Sequence, residues 1–549
     1  MTWRGATMGM ARAGLCTAAL LILAACTPEA RLPDLQQIYN ATTEAGADGP
    51  GRRPLIAIPG TLGSKLVDSE TGVTIWGGGG SAGISADPDD PTEYALIALP
   101  IAQGDEPLSD LVDTIRPDGV LETAEAQILG IPIDINVYGE SIKLLGEGGF
   151  TVLRRVPGAD ALDVPLAIME ERAAAQAPPP APEQAQMTPE GLGDFNSFQF
   201  DYDWRRDLVE SAHRFGQFLR LRRAQVAAKR GVPPETVRFD LLAHSMGSMV
   251  SRYFLMYGFA DPPDDPDGPL PPVTWAGADY FDRVVFVAPP NGGSIIAMDN
   301  LINGKELGPL QPVYPAAMLA THPSPYQLMP RTRHKRMLVA GEPDADIFDP
   351  ELWIRMGWGL ADPRADAELA ILMPEEESAE RRRERAVAFM ARLLGRAKVF
   401  QRMMDRWAPP PQHLHLFLVV GGGFQTPSTA EVDPATGSFV ITQDEEGDGV
   451  VLRASALLDE RMDGDFSRGF RSPLRFNTTL FLPDEHVELT RNRVFGDNLL
   501  FWLLEAPRGG TQLARPSQGG LLANVSDGDR AAPTTGAAAP DLPMPGADR

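Results

Sequence analysis

An apolar strand that ends on a serine and restarts as a helix leaves a chain few ways to fold. Such a run lies at Phe239-Asp240-Leu241-Leu242-Ala243-His244-Ser245-Met246-Gly247-Ser248-Met249. Val237 to Leu242 reads as a short buried strand, and Met246 to about Tyr257 as an apolar helix. Between them comes a turn tight enough to hold Ser245 in strained backbone geometry, the order that a nucleophile elbow requires. Residues two before and two after the serine must be small, because strand and helix pack closely there. Gly247 meets this, and Ala243 stands where glycine is usual, at the cost of one methyl. Small-x-Ser-x-Gly alone is a weak pattern; the flanking strand and helix make it specific.

The rest of the chain fits one architecture around that turn. Pro54 to Pro59 reads as a buried strand closed by Gly60-Thr61-Leu62-Gly63. Val284 to Ala288 and Leu414 to Val420 are further buried strands, and Leu208 to Leu221 has apolar residues at helical spacing. Val494 to Leu504 reads as a closing apolar helix, and residues 363–407 as a charged helical segment. Its blocks Glu375-Glu376-Glu377 and Arg381-Arg382-Arg383 are expected on a solvated face. Residues 77–92 and 261–272 read as loop, and 172–192 as a Pro/Ala-rich insertion. Buried strands alternating with helices predict an α/β fold of the α/β-hydrolase type, a mostly parallel sheet covered by helices on both faces. The expected folded domain spans 53–506, with cap or lid insertions at about 68–200 and 300–410. Residues 507–549, rich in Pro, Ala and Gly, read as a disordered tail.

A serine hydroxyl needs a base to take its proton and a carboxylate to orient that base, in the chain order Ser, acid, His. Of the late histidines, His413 and His415 open a strand and share one face, whereas His486 lies in a loop just before the closing helix. His486 is therefore the expected base. Asp448, on the Gly-flanked turn Gly447-Asp448-Gly449, is the expected acid, with Asp444, Glu445 and Glu446 as neighbouring alternatives. His244 reads as part of the turn. The oxyanion of a tetrahedral intermediate needs backbone N–H donors; the amides of Met246 and Thr61 are the candidates. Nothing in the sequence asks for a cofactor or a metal.

The net charge of -25 and the lack of a basic stripe speak against a nucleic-acid partner and against electrostatic adhesion to anionic lipid. Membrane attachment is expected from another device. Arg4 and Arg12 precede an apolar stretch at 15–25 that ends in Leu23-Ala24-Ala25-Cys26, a sequence like the bacterial lipobox. The expectation is a signal peptide at 1–25, a lipidated Cys26 and a flexible tether at 26–52. An ordinary signal peptide with an incidental cysteine is the alternative. The second cysteine, Cys16, would be removed with the signal, so the mature chain could form no internal disulfide. Each buried methylene of the acyl chains contributes roughly 0.8 kcal/mol to anchoring. Thr27, rather than aspartate, follows Cys26, which points to an exported protein held in the cell envelope at the outer membrane.

Several motifs recur in order: Ile58-Pro59-Gly60-Thr61-Leu62-Gly63-Ser64-Lys65-Leu66, Asp201-Tyr202-Asp203-Trp204-Arg205, His244-Ser245-Met246-Gly247, Ala288-Pro289-Pro290-Asn291-Gly292-Gly293-Ser294, Tyr326-Gln327-Leu328-Met329-Pro330, Gly447-Asp448-Gly449 and His486. The ordered set resembles the lecithin:cholesterol acyltransferase family, which includes lysosomal phospholipase A2 and phospholipid:diacylglycerol acyltransferases. The resemblance implies a Ser245–Asp448–His486 triad, an oxyanion hole at Thr61 and Met246, and a mobile lid near Trp76. It also implies acyl transfer from a phospholipid or other lipid ester to water or an alcohol. Trp76 is read equally as an acyl-chain contact or as packing, and Trp204 as structural. The family often has an acidic residue where Thr61 stands and threonine where Val450 stands. The disulfides of its vertebrate members are absent, so their lid geometry does not carry over. A carboxylesterase for soluble or polymeric esters, and a surface lipoprotein that keeps the fold without turnover, are the other readings.

Overall fold

Along each central strand, successive side chains feed two different layers, and this alternation builds the molecule. The computed structural model describes residues 52–506 apart from 81–82, 86, 105, 129–130, 137, 148, 151, 154–195, 307–312 and 462–468. The expected signal peptide, Cys26, the tether up to residue 51, the insertion at 172–192 and the tail at 507–549 lie outside the described residues.

The central strands are β1 (Leu55–Ile58), β2 (Val152–Leu153), β3 (Ser197–Gln199), β4 (Phe239–His244), β5 (Phe281–Val287), β6 (His415–Gly421) and β7 (Thr478–Leu482). They form one seven-stranded sheet in the order β7-β6-β5-β4-β1-β3-β2, and every pairing is parallel. The helices that bear on the sheet and its insertions include α1 (Leu208–Arg230), α2 (Met246–Tyr257), α3 (Ala379–Met404) and α4 (Arg493–Leu500).

Leu241, Ala243, Val284, Phe286, Leu416 and Leu418 pack with Val209, Phe215 and Leu219 of α1 and with Met249, Val250 and Phe254 of α2. Their neighbours Leu242, Val285, Val287, Phe417 and Val419 face the other way, onto Phe495 and Leu499 of α4 and onto Trp502. A period of two with both faces apolar is what a sheet buried on both sides demands. The architecture is an α/β-hydrolase fold, as the sequence predicts.

The helices begin and end for local reasons. The Asp207 carboxylate accepts from the N–H groups of Val209 and Glu210 at the start of α1, and Gly231 closes it in the left-handed conformation at φ 63°. All twelve residues of α2 are buried, the polar Ser248, Ser251 and Arg252 among them, so this helix is a central rather than a surface element.

Two findings differ from the sequence reading. Residues 77–92 are loop only in part: 87–90 are turn, but Thr74–Gly80 and Gly83–Ser85 are strands of a four-stranded sheet with Ser64–Asp68 and Ile115–Val120, and Pro91–Ile97 is a helix. Glycines carry no side-chain pattern, so a strand held by backbone hydrogen bonds leaves no period in the sequence. The second finding concerns the charged helix α3. Arg381 and Arg383 are exposed, but Arg382 is buried; it donates to the carbonyls of Glu376 and Glu377 and pairs with Asp366 at 2.9 Å.

Arg205 fastens the first insertion to the sheet. It is fully buried, donates to Asp203 and Asp113 at 2.7 Å each, and also donates to the carbonyls of Leu96, Ile97 and Ala98. Those carbonyls close the short helix Pro91–Ile97, whose last turn has no helical donors of its own. Arg205→Met strands two carboxylates and three carbonyls, so we expect a loss of about 3–5 kcal/mol in unfolding free energy. Urea denaturation of the two proteins checks this; an equal midpoint and slope would show that the contact holds nothing.

Candidate active site

The chain reaches the carboxyl edge of the sheet at three points, and the candidate residues stand on the loops that leave it. Ser245 follows β4 directly, with φ 52° and ψ -125°, and its N–H donates to the Val287 carbonyl at 2.8 Å. A left-handed conformation at a non-glycine residue costs of order 1–3 kcal/mol. Here it is enforced by the strand on one side and α2 on the other. Gly247 completes the turn: a Cβ there would stand 2.3 Å from the Pro59 carbonyl oxygen. The sequence requirement for a small residue is thus a requirement for room between α2 and the end of β1.

Asp448 lies on the turn after the hairpin strand Ser438–Gly447 and packs against the end of β6. A Cβ on Gly421 would stand 2.5 Å from the Asp448 Cβ. One Asp448 oxygen accepts from the N–H groups of Val450 at 3.0 Å and Val451 at 2.7 Å. The other accepts from His486 Nδ1 at 2.8 Å, and the His486 N–H donates to the Asp448 carbonyl at 2.9 Å. Burial works against ionisation of Asp448, but the His486 charge, its hydrogen bond and the two backbone donors outweigh it, and the pKa lies below the usual carboxylate value.

His486 follows β7, and its Nε2 lies 2.9 Å from Ser245 Oγ. The carboxylate partner fixes the proton on Nδ1, which leaves Nε2 free to accept from the hydroxyl. Three side chains separated by 203 and 38 positions along the chain thus form one hydrogen-bonded line. All three are buried, at 8%, 2% and 8% exposure. The geometry can take a proton from Ser245 and place positive charge beside a carboxylate held ready for it.

The alternatives weighed from sequence stand elsewhere. Glu445 pairs with Arg336, and Glu446 with Arg453 at 3.2 Å. Asp444 sits along the same hairpin strand, and His413 faces the Ala278 carbonyl at 3.2 Å. Thr61 and Met246 meet beside the serine: Thr61 Oγ1 donates to Met246 Sδ at 3.3 Å. Gly60 lies against Ser245, where a Cβ would stand 2.8 Å from the serine Cβ. Trp76 is buried in the first insertion; its indole donates to the Leu62 carbonyl at 2.8 Å and meets the Trp204 ring edge-on at 5.5 Å. Leu62, Trp76 and Trp204 line a small apolar cavity of about 30 Å³ behind the Gly60–Gly63 turn.

The sequence reading passes over two residues that bind the parts together. His244 is not merely part of the turn. Its Nε2 lies 3.1 Å from the His486 carbonyl, which can only accept, so the proton sits on Nε2. Its Nδ1 accepts from the Tyr138 hydroxyl at 2.8 Å, and that hydroxyl accepts from the Gly60 N–H at 2.8 Å. One chain of hydrogen bonds therefore runs from the Gly60 loop through Tyr138 and His244 to the backbone of His486. Burial first, and then the nearby His486 charge, push the His244 pKa down to about 3, so the ring stays neutral as the network requires. No local pattern marks Tyr138; it reaches the site only through the fold.

Among the described residues no group of three or more His, Cys, Asp or Glu is placed to hold a metal ion, and no helix is long and apolar enough to cross a membrane.

The sequence pattern of the lecithin:cholesterol acyltransferase family matches residues 194–350, which include β4, the Ser245 turn and α2. No curated protein matches the chain as a relative. Among solved structures, the Tle4-Tli4 complex is similar, with 14% identity over 83% of this chain and 98% of that one, at a TM-score of 0.46. A Bacillus licheniformis lipase, BlEst2, solved in its propeptide form, is similar with 10% identity over 61% of this chain and 48% of that one, at a TM-score of 0.26.

One outcome is expected of the network and one of the buried histidines. Tyr138→Phe leaves the Gly60 N–H and His244 Nδ1 unpaired, so the turnover rate on a simple ester is expected to fall roughly tenfold while KM holds, in line with the loss of a buried hydrogen bond. Steady-state kinetics decide it, and an unchanged kcat would remove Tyr138 from the network's function. His244 and His322 are both buried, and burial above all pushes both pKa values down to about 3. In the unfolded chain they titrate near 6.5. Their contribution is whole above that pH and is lost as pH falls from 6.5 toward 3, at up to about 2.7 kcal/mol per pH unit. Unfolding free energies measured between pH 6 and 5 should lose about half of that slope in His322→Gln; an identical slope would contradict the assignment.

Proposed function

We propose that this α/β-hydrolase, similar to the lecithin:cholesterol acyltransferase family, is a serine-dependent lipid acyl hydrolase or acyltransferase. Ser245 is the nucleophile, His486 the general base and Asp448 the residue that orients it. The observation that carries the reading is the unbroken line from Ser245 Oγ through the His486 ring to Asp448, at 2.9 and 2.8 Å. A neutral imidazole with its Nδ1 proton fixed takes the hydroxyl proton as Oγ attacks the ester carbonyl. The N–H groups of Met246, at the start of α2, and of Thr61 hold the oxyanion. Each such donor is worth roughly 3–4 kcal/mol to the transition state. His486 then returns the proton to the leaving alcohol, and water or a second alcohol, deprotonated by the same ring, releases the acyl group from Ser245.

An ester-cleaving site of this kind needs an apolar approach if the substrate is a lipid. Val450 and Val487, next to Asp448 and His486, are 40% and 37% exposed, and Phe481 of β7 is 49% exposed. Exposed apolar side chains on the segments that carry Asp448 and His486 are what this reading would use to meet a lipid ester. Trp76, buried and hydrogen-bonded beneath the Gly60–Gly63 turn, acts in this reading as a support for the Thr61 loop. Lipidation of Cys26 and residence in the cell envelope belong to the same proposal, and the sequence alone supports them.

A fluorophosphonate probe should label the protein, and Ser245→Ala should abolish both labelling and at least roughly 10⁴-fold of the esterase rate. Labelling that survives the substitution would sink the assignment. Incubation with phosphatidylcholine vesicles, with and without an added long-chain alcohol, separates the branches. Free fatty acid alone means a hydrolase, and a new alcohol ester means a transferase. Brisk cleavage of short soluble esters with neither product would favour a carboxylesterase.

A further inference from the structure

A buried cation two turns beyond the nucleophile has no hydrogen-bond partner among the described residues. Arg252 lies on α2, seven residues after Ser245, and is 4% exposed. Its Nε, Nη1 and Nη2 make no hydrogen bond among the described residues. This is unlike the buried Arg205, whose guanidinium is fully engaged. Transferring an unpaired charge from water to such a place costs several kcal/mol unless a counter-charge meets it.

The surrounding charges do not supply one. The carboxylate nearest in electrostatic effect is Asp405. It is already taken by Arg331, at 3.0 Å, and by Arg333, at 2.7 Å. Arg331 is itself 2% exposed and has an unpartnered Nη1. Two buried guanidinium groups therefore share one carboxylate that also serves a third. Burial first, and then Arg331, lower the Arg252 pKa to about 9, which still leaves it charged at neutral pH.

Arg252 lines a largely enclosed cavity together with Trp275, Phe286, Leu416 and Phe476, and with Arg406 and Arg475 nearer the surface. Trp275 adds a second orphan donor, for its buried indole N–H also has no partner among the described residues. The pocket thus joins a guanidinium, an indole N–H and two further cations to apolar walls, with no carboxylate among its lining residues. Its volume is about 20 Å³. A single water needs about 10–15 Å³, so the space suits one group of about that size and not a phosphate with four oxygens.

We infer that this pocket is a binding site for a small monovalent anion of the halide class, chloride being the common one, held by the Arg252 guanidinium and the Trp275 indole. The ion neutralises the charge buried behind the Ser245 turn and ties α2 to the segments 406–410 and 473–476. The site is independent of the acyl chemistry, and its test does not use turnover.

The test combines diffraction with thermal unfolding of the full chain. Crystals soaked in sodium bromide and measured at the bromine edge should show an anomalous peak within hydrogen-bond reach of Arg252. Sodium chloride should raise Tm by at least about 1 °C over sodium gluconate at equal ionic strength, in a saturable way. Arg252→Met should fold and lose that difference, since it removes the charge that needs the ion. Should that variant fail to fold, Trp275→Phe, which removes one donor and keeps the ring, should weaken the chloride response several-fold. Absence of a bromide peak, equal Tm in chloride and gluconate, or a chloride response retained in Arg252→Met would each overturn the site. A peak without any Tm response would mean an adventitious ion only, and would overturn it as well.

Discussion

The left-handed backbone at Ser245 is the constraint on which the remaining geometry rests. At φ 52° the chain leaves β4 and enters α2 within a single residue, and the side chain is thrown clear of both. Strain of this kind persists only where packing over-determines it. Here the Ser245 N–H is held by the Val287 carbonyl, all of α2 is buried, and Gly247 lets the helix approach the Pro59 carbonyl. Relaxing the turn would break the edge of the sheet and lift an apolar helix off its core. The reactive position is therefore a product of the hydrophobic core, not of the loop itself.

The same economy governs the other members of the site. His486 belongs to a loop, yet its backbone is held on both sides. Its N–H meets the Asp448 carbonyl, and its own carbonyl meets His244. Because His244 reaches Tyr138 and Tyr138 reaches the Gly60 N–H, displacement of any one of these segments strands a buried polar group in the others. Such groups cost about 1–3 kcal/mol each when left unpaired. Positional accuracy thus comes from the penalty for leaving, which is steep in a dry site.

Buried arginines show two ways of meeting that penalty. Arg205 is saturated by carboxylates and by helix carbonyls, and so works as a fastener between the first insertion and the sheet. Arg252 has no such partners among the described residues, and the balance of charge around it calls for an ion from solution. The difference lies in what surrounds each residue rather than in the residue type, which is why neither role could be assigned from the letters alone.

The elbow, the alternation of buried strands with helices, and Ser245, Asp448 and His486 as residues worth watching could all be read from the sequence. Each rests on local physics: small residues where strand and helix must nearly touch, apolar runs that must be buried, a carboxylate on a glycine-flanked turn. The strands at Thr74–Gly80 and Gly83–Ser85 could not, because glycine gives no period, and the burial of Arg382 is hidden inside a charge block that reads as solvated. Tyr138, the bridging role of His244 and the unpaired state of Arg252 are facts about neighbours distant along the chain. Sequence determines which side chains exist and which segments must be buried. Only the packed sheet decides which polar atoms end up facing one another in the dry interior, because a hydrogen bond depends on distances of a fraction of an ångström that no local pattern encodes.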